Sequence, residues 1–114
     1  MSKIKNNVVW ITGASSGIGE ALAYEISRHQ PSLLILSAPA GNATELEAVA
    51  SRCKQTGIVC HTIPFDLSKK EEIHEAFAKA MQLTNRIDIM FHNGGVSQRS
   101  LVEETPTDID RKLF

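Results

Sequence analysis

The residues best suited to chemistry in this chain form a glycine-rich segment near its start, Thr12-Gly13-Ala14-Ser15-Ser16-Gly17-Ile18-Gly19. The apolar run at residues 8–11 before it predicts a β-strand, and residues 20–26 after it predict a helix. A glycine-rich turn between a strand and a helix brings unpaired backbone N–H groups and the positive end of the helix dipole to one point. The segment therefore predicts a binding site for a phosphate or pyrophosphate group.

The elements that must position this segment alternate between strand-like and helix-like patterns, which predicts an α/β protein with a parallel sheet. Strands are predicted at residues 7–12, 33–38, 58–65 and 87–92. Helices are predicted over residues 17–30, from Asn42 to Gly57, and after Ser68, with a further helix start at residues 105–108. The run at 33–38 is continuously apolar at its start, as in strands buried on both faces.

Two capping boxes are predicted at helix starts, one from Asn42 with Glu45 and one from Ser68 with Glu71. Helical spacing also predicts the buried faces of the last two complete helices. The predicted core residues are Leu46, Val49, Ala50 and Cys53 in one helix and Ile73, Ala76, Phe77, Ala80 and Met81 in the other.

The composition excludes several function classes. The 114 residues suffice for one small domain, and a net charge of −1 gives no reason to expect nucleic acid or an acidic membrane surface as a partner. The longest apolar runs are too short to span a bilayer, and the start of the chain lacks the apolar core of a signal peptide. From these features we expect a cytoplasmic location.

The cysteines and histidines give no sign of a metal centre. Cys53 and Cys60 lack the C-x-x-C spacing and are expected to be reduced, structural thiols. The four histidines do not cluster in the sequence, and we predict that His92 has a packing or hydrogen-bonding role rather than one as a general base. No metal site is predicted.

Three segments together resemble the short-chain dehydrogenase/reductase family. The first is the T-G-x-x-x-G-x-G pattern of residues 12–19, the second is Phe65-Asp66-Leu67, and the third is the segment 92–95, His-Asn-Gly-Gly. They occur in the family's order at similar separations. The resemblance implies a Rossmann-like, doubly wound parallel sheet with strand order 3-2-1-4, and it makes residues 1–114 the N-terminal half of an NAD(P)-binding domain.

The resemblance also implies roles for individual residues. Gly13, Ser15, Ser16, Gly17, Ile18 and Gly19 would lie along the pyrophosphate and the adjoining ribose, while Asn93, Gly94 and Gly95 would line the cofactor. The Thr12 hydroxyl would tether the loop toward the Asn93 segment, with direct ligand contact as the alternative. Asp66 would bind the adenine amino group with Leu67 beside the ring; its alternative role is a helix N-terminal acid that favours the dipole.

The choice of cofactor is read at the end of the second strand, where an acid would bind the ribose hydroxyls of NAD and a nearby Arg would hold the 2′-phosphate of NADP. This chain has Ser37-Ala38-Pro39-Ala40-Gly41 there, with neither an acid nor an Arg. The absent acid favours NADP, whose phosphate would depend on Ser37, Asn42 or backbone N–H groups. NAD is the alternative.

The function implied is hydride transfer between a nicotinamide and an alcohol or carbonyl substrate in an NAD(P)-dependent oxidoreductase. The family's Tyr-x-x-x-Lys motif is absent, and the single tyrosine, Tyr24, lies in the first helix. No catalytic residue is therefore assigned here, and the fragment alone is expected to be inactive. The end of the chain looks like a truncation within a helix. A homo-oligomer is expected for the full-length protein alone.

Residues 96–102, V-S-Q-R-S-L-V, resemble a subgroup of the dehydrogenase/reductase member 7 type. That similarity identifies no substrate. The alternative function is a non-catalytic nucleotide-binding module or the remnant of a decayed gene, because the phosphate loop is intact while the catalytic motif is missing.

Overall fold

The computed structural model describes residues 3–93, which form a four-stranded sheet with helices on both faces. The strands are β1 (Val8–Thr12), β2 (Leu33–Ser37), β3 (Cys60–Thr62) and β4 (Ile89–His92). The α-helices are α1 (Gly17–Ser27), α2 (Ala43–Lys54) and α3 (Lys70–Leu83), with a short 3₁₀ turn at Ala40–Asn42. The predicted helix start at residues 105–108 lies outside the described residues.

All three strand pairs are parallel, and the order across the sheet is β3-β2-β1-β4. Thr12, at the end of β1, lies opposite Ser37 of β2 and His92 of β4. The predicted topology is confirmed. Because the strands are parallel, their carboxyl ends lie at one edge of the sheet, where the loops that follow them come together.

Side chains alternate between the two faces of each strand, so the apolar strands contribute to two separate clusters of buried residues, one on each face of the sheet. One face packs against α1 and α2, and the four predicted core residues of α2 are all buried there. The other face packs against α3 and contains Trp10 and Ile35. Burial on both faces explains why these strands read as continuous apolar runs.

The predicted face of α3 needs one correction. Ala76 and Ala80 are buried, and Ile73 and Phe77 pack partly buried against the same cluster. Met81 is 43% exposed, so its assignment to the core was wrong. It lies at the margin of a stripe that is centred on the two alanines.

Several elements are shorter than predicted, α2 and β4 among them, and the shortening of β3 and α1 has visible causes. The regular part of β3 covers three residues, although Ile63 and Phe65 still donate backbone hydrogen bonds to β2 and to Ala38 after it. Pro64 lies between these two donors, on an edge strand where a residue without an N–H is tolerated. At the end of α1, a tighter turn with bonds to residues three back leads to Gln30, whose φ is 57°, before Pro31.

The predicted capping boxes do not form. Asn42 is in the N-cap position of α2, but its side chain makes no capping bond among the described residues. The helix α3 begins at Lys70 rather than directly after Ser68. The hydroxyl and N–H of Ser68 both donate to the carboxylate of Asp66, so the Ser68 hydroxyl bonds to a residue before it rather than capping the helix.

Candidate functional site

The turn between β1 and α1 presents backbone donors at the carboxyl edge of the sheet. Gly13 and Gly17 have φ values of 68° and 61°, which favour glycine, and Ser16 between them is extended. In the described part of the chain, no side chain caps this helix start. The first N–H groups of α1 therefore lack partners within the helix and can bind an anion.

Gly19 is the glycine that the packing requires. A Cβ built at this position would lie 1.9 Å from the carbonyl oxygen of Gly13 and 2.9 Å from Nδ2 of Asn93. The first turn of α1 thus touches both the loop before it and the residue after β4. At Gly17, by contrast, a Cβ would meet no described atom within 4 Å, so its requirement is the positive φ alone.

Hydrogen bonds tie the loop to the neighbouring strands on both sides. The N–H of Ala14 donates to the carbonyl of Ser37 at 3.0 Å, and the N–H of Asn93 donates to the hydroxyl of Thr12 at 3.0 Å. Nδ1 of His92 lies 3.3 Å from the same hydroxyl. The tethering role predicted for Thr12 is confirmed, and His92 has the hydrogen-bonding role predicted for it.

A cavity of about 240 Å³ opens beside the loop at the same edge of the sheet. Its walls come from the ends of β1 and β2 and from the segment that precedes α3. The lining residues are Thr12, Gly13, Ser37, Ala38, Pro39, Phe65, Asp66, Leu67 and Ser68. Apolar walls with a few polar groups are typical of a site for a flat, partly apolar ligand.

Asp66 is the one charged side chain among the described residues that line this cavity. Its Oδ1 accepts from the N–H of Ser68 at 2.9 Å and from the Ser68 hydroxyl at 2.8 Å. These two bonds hold the pKa of the Asp66 carboxyl below its usual value. The backbone N–H of Asp66 donates to Oε1 of Glu72 at 2.8 Å, so a side chain from the first turn of α3 also holds this segment.

Ser37 lies at the end of β2 and is almost fully buried, with 1% of its surface exposed. Its Oγ accepts a hydrogen bond of 2.8 Å from the indole Nε1 of Trp10. Ala38 and Pro39 follow it along the cavity wall. Neither adds a charge, so the end of β2 offers no carboxylate to a ribose.

The structure brings most of the predicted site residues to one edge of the sheet. Gly13, Ser37, Asp66 and Leu67 line the cavity. The loop and first turn of α1 contain Ser15, Ser16, Gly17, Ile18 and Gly19, and the Ile18 side chain is 67% exposed. Asn93 lies against Gly19. Gly94 and Gly95 lie outside the described residues.

Sequence reasoning quoted three residues of the cavity wall within its motifs but assigned them no ligand contact. Ala38, Pro39 and Phe65 form walls of the cavity, and their places directly beside predicted strand ends were a usable signal. The contacts of Trp10 with Ser37 and of Glu72 with Asp66 gave no such signal. Each joins residues that meet only when β1, β2 and α3 pack together.

Two features of the described residues bear on other functions. Residues 3–93 contain no group of three or more His, Cys, Asp or Glu side chains placed to hold a metal ion. No helix in that part of the chain is long and apolar enough to cross a membrane.

A parallel sheet with a glycine-rich turn after β1 and a cavity at the carboxyl edge defines a nucleotide-binding α/β class. Within that class, the model of the family described as short chain dehydrogenase matches residues 7–113. The chain belongs to this family.

Relatives with known sequences agree with this assignment. The chain is 45% identical to human dehydrogenase/reductase SDR family member 7 and 44% identical to the mouse protein, over 98% of its length in each case. Each match covers 33% of the relative, so the chain spans about one third of the length of these proteins. The resemblance to the member 7 subgroup is thereby confirmed.

Solved structures confirm the fold. NAD+-bound xylitol dehydrogenase superposes with a TM-score of 0.76 at 22% identity, over 82% of this chain and 35% of that one. The Escherichia coli oxidoreductase yciK superposes with a TM-score of 0.74 at 26% identity, over 84% of this chain and 40% of that one. Both cover the same Rossmann-like arrangement of strands and helices.

Proposed function

We propose that this chain binds the adenosine and pyrophosphate part of a nicotinamide dinucleotide in an NAD(P)-dependent oxidoreductase. The observation that carries the proposal is the position of the uncapped start of α1 next to the cavity, at the carboxyl edge of β1. In an open parallel sheet this is the point where the strand order reverses, because β1 has β2 on one side and β4 on the other. Ligands of such sheets bind at this point.

The residues present fit the pyrophosphate and the adenosine of the dinucleotide. Backbone N–H groups at the start of α1 would bind the pyrophosphate, assisted by Ser15 and Ser16. The cavity would take the adenosine, with Leu67 and Pro39 as apolar walls and Asp66 as acceptor for the adenine amino group. When bound, the cofactor supplies the hydride chemistry, while the chain supplies position and electrostatics.

We propose NADP as the preferred cofactor, with NAD as the second candidate. A carboxylate at the end of β2 would repel the 2′-phosphate of NADP, and Ser37, Ala38 and Pro39 place none there. None of the described residues in the cavity wall is cationic. Binding of the 2′-phosphate would therefore depend on hydroxyl and N–H donors.

The full-length protein would use this cofactor to move hydride between the nicotinamide and an alcohol or carbonyl substrate. Catalytic residues for that step are not assigned to this chain. Tyr24, its one tyrosine, donates its hydroxyl to Glu20 on α1, and burial together with this bond raises the pKa of the tyrosine. A tyrosine that serves as a general base needs the opposite shift. The cytoplasmic location and the oligomeric state predicted from the sequence remain predictions.

Calorimetric titration of the full-length protein with NADP and NAD tests the proposal. We expect saturable binding of both with a lower Kd for NADP, and no cofactor-dependent turnover of alcohols or ketones by the isolated 114-residue chain. Absence of binding of either dinucleotide to folded protein would contradict the binding function. A lower Kd for NAD would contradict the preference alone.

A further inference from the structure

Glu72 lies in the first turn of α3 and reaches back to the segment that leads into this helix. Its Oε1 accepts the backbone N–H of Asp66, six positions earlier in the chain, at 2.8 Å. Its other oxygen, Oε2, lies 3.9 Å from Nζ of Lys69, and its side chain is 37% exposed. A carboxylate on the helix thus holds the backbone of the charged residue that lines the cavity.

The other polar atoms of Asp66 are engaged by neighbouring residues. Its carbonyl accepts from the N–H of Lys69 at 3.0 Å, and its Oδ1 accepts from the N–H and the hydroxyl of Ser68 at 2.9 and 2.8 Å. Within residues 3–93, Oδ2 is the one polar atom of Asp66 that makes no hydrogen bond. One oxygen of this carboxylate is therefore available to a ligand in the cavity.

These bonds restrict the directions in which the Asp66 carboxylate can point. Rotation of the carboxyl group would break its bonds to Ser68, and rotation of the peptide group before Asp66 would break the bond to Glu72. A hydrogen bond to a carboxylate is stronger than one between neutral groups. Glu72 therefore restrains this peptide group more than a neutral side chain would.

We propose that Glu72 is a positioning residue, which fixes Asp66 so that its Oδ2 accepts the amino group of adenine and the site selects a 6-aminopurine over a 6-oxopurine. The inference rests on the proposed function, since that function assigns the adenosine to this cavity. Glu72 is not among the described residues that line the cavity, so it acts through Asp66 rather than on the ligand.

The selection follows from the groups that the two kinds of base carry at C6. An amino group donates a hydrogen bond, whereas a carbonyl oxygen accepts one. A site with a fixed acceptor rejects the oxo base, because its own oxygen is left without a partner. A carboxylate that is free to turn toward water loses less, so fixation by Glu72 sets the strength of the selection.

Two nucleotides that differ only in the base measure this selection in the full-length protein. ADP and IDP carry the same ribose and diphosphate, and their purines differ at C6 and the adjoining ring nitrogen. Calorimetric titration with each gives a ratio of Kd values. We expect wild type to bind IDP about tenfold more weakly than ADP, the effect of one hydrogen bond to a charged group. Glu72→Ala should reduce this preference several-fold.

The matched control is Glu71→Ala. Glu71 is the adjacent acid in the same turn of α3, it is exposed, and it makes no hydrogen bond or ion pair within residues 3–93. Both substitutions remove one negative charge from the helix start, so their effects on the helix dipole are alike. The ratio in Glu71→Ala should equal that of wild type. An equal change of the ratio in the two variants would overturn the proposal, because loss of charge alone would explain it.

Glu72→Gln separates the hydrogen bond from the charge. Glutamine keeps the length and an acceptor oxygen, so this variant should retain most of the preference that Glu72→Ala loses. In an Asp66→Ala background, Glu72→Ala should leave the ratio unaltered, because there is no carboxylate left to hold. Additive effects of the two substitutions on the ratio would overturn the positioning role.

Amide hydrogen exchange of the ligand-free protein tests the contact itself. Exchange of the Asp66 amide should be at least several-fold faster in Glu72→Ala than in wild type and unchanged in Glu71→Ala. Equal exchange in both variants would overturn the inference, and so would equal affinity of wild type for ADP and IDP. Failure of the folded protein to bind ADP, NADP and NAD would instead overturn the proposed function itself.

Discussion

The polar groups at the two ends of the sheet differ in whether they have hydrogen-bond partners within the protein. At the amino end, Oδ2 of Asp88 accepts from the N–H of Val8 at 2.8 Å, and the N–H of Asp88 donates back to the carbonyl of Val8 at 3.0 Å. Arg86 adds bonds to the same Oδ2 and to the carbonyl of Asn6. Donors and acceptors here satisfy one another, and that end is closed.

At the carboxyl end, donors face outward without such partners. The start of α1 has no side-chain cap among the described residues. Unsatisfied polar groups cost free energy unless water or a ligand binds them. The proposed function accounts for this difference, because a bound dinucleotide would satisfy the open donors at the carboxyl end, whereas the bonds at the amino end contribute to stability.

Of the substitutions that test this contrast, Gly19→Val should have the largest effect. The new side chain would overlap the carbonyl of Gly13, so the loop and the first turn of α1 must separate. We expect a loss of about 3 kcal/mol in the free energy of unfolding. Dinucleotide affinity should fall about a hundredfold, as when two hydrogen bonds to a charged ligand are lost.

Denaturant titration and calorimetry measure the two effects of Gly19→Val. The control is Gly41→Ala, because a Cβ there would meet no described atom within 4 Å. It should change stability by less than about 0.5 kcal/mol. Wild-type affinity in a folded Gly19→Val variant would show that the phosphate does not bind this loop.

Gly17→Val should have the next largest effect. Valine at a φ of 61° is strained by about 1–2 kcal/mol, although an added Cβ meets no described atom. Relief of this strain would turn the first N–H groups of α1 and weaken dinucleotide binding about tenfold, with most of the fold intact. Gly17→Asn, which tolerates this backbone conformation better, should lose less in the same titration. Equal losses for Val and Asn would point away from backbone strain.

Asp88→Ala tests the closed end. It leaves the buried N–H of Val8 without its acceptor, which should cost about 1–3 kcal/mol in the free energy of unfolding. Asp88→Asn keeps an acceptor oxygen and should lose less. Dinucleotide affinity, measured on the folded population by calorimetry, should stay at the wild-type value for both. A parallel loss of affinity would mean that the two ends are coupled.

The smallest effect concerns the protonation of Asp66. Hydrogen bonds from Ser68 lower the pKa of Asp66 in the folded protein. The stability that these bonds contribute is fully present above the ordinary carboxyl pKa of about 3.9. It is lost as the pH falls through the lower pKa of the folded state. Ser68→Ala removes one of the two bonds and should move the pKa of Asp66 back toward its ordinary value. An NMR titration of the carboxyl group measures this, with the exposed Ser51→Ala as the control. An unchanged pKa would contradict the assignment of that bond.

The sequence was enough to predict the topology and the phosphate loop. A parallel sheet follows from the alternation of elements, and the loop follows from glycines between a strand and a helix, because both depend on local patterns. The order of the strands came from the resemblance to the family. Thr12 as a tether was also predictable, from its place in the motif that resembles the family. By contrast, the capping box at Ser68 was wrong, since the sequence could not show that Asp66 would engage that hydroxyl.

Tertiary structure alone decided which side chains form hydrogen bonds at each end of the sheet. Glu72 reaches Asp66 from within α3, and Asp88 reaches Val8 across eighty positions of the chain. The pairing of Trp10 with Ser37 likewise depends on the packing of β1 beside β2. The sequence by itself determined the elements and the phosphate loop, because periodicity and backbone freedom act locally. Which polar groups are hydrogen-bonded at each end of the sheet was decided by tertiary contacts, because their partners lie far apart in the chain.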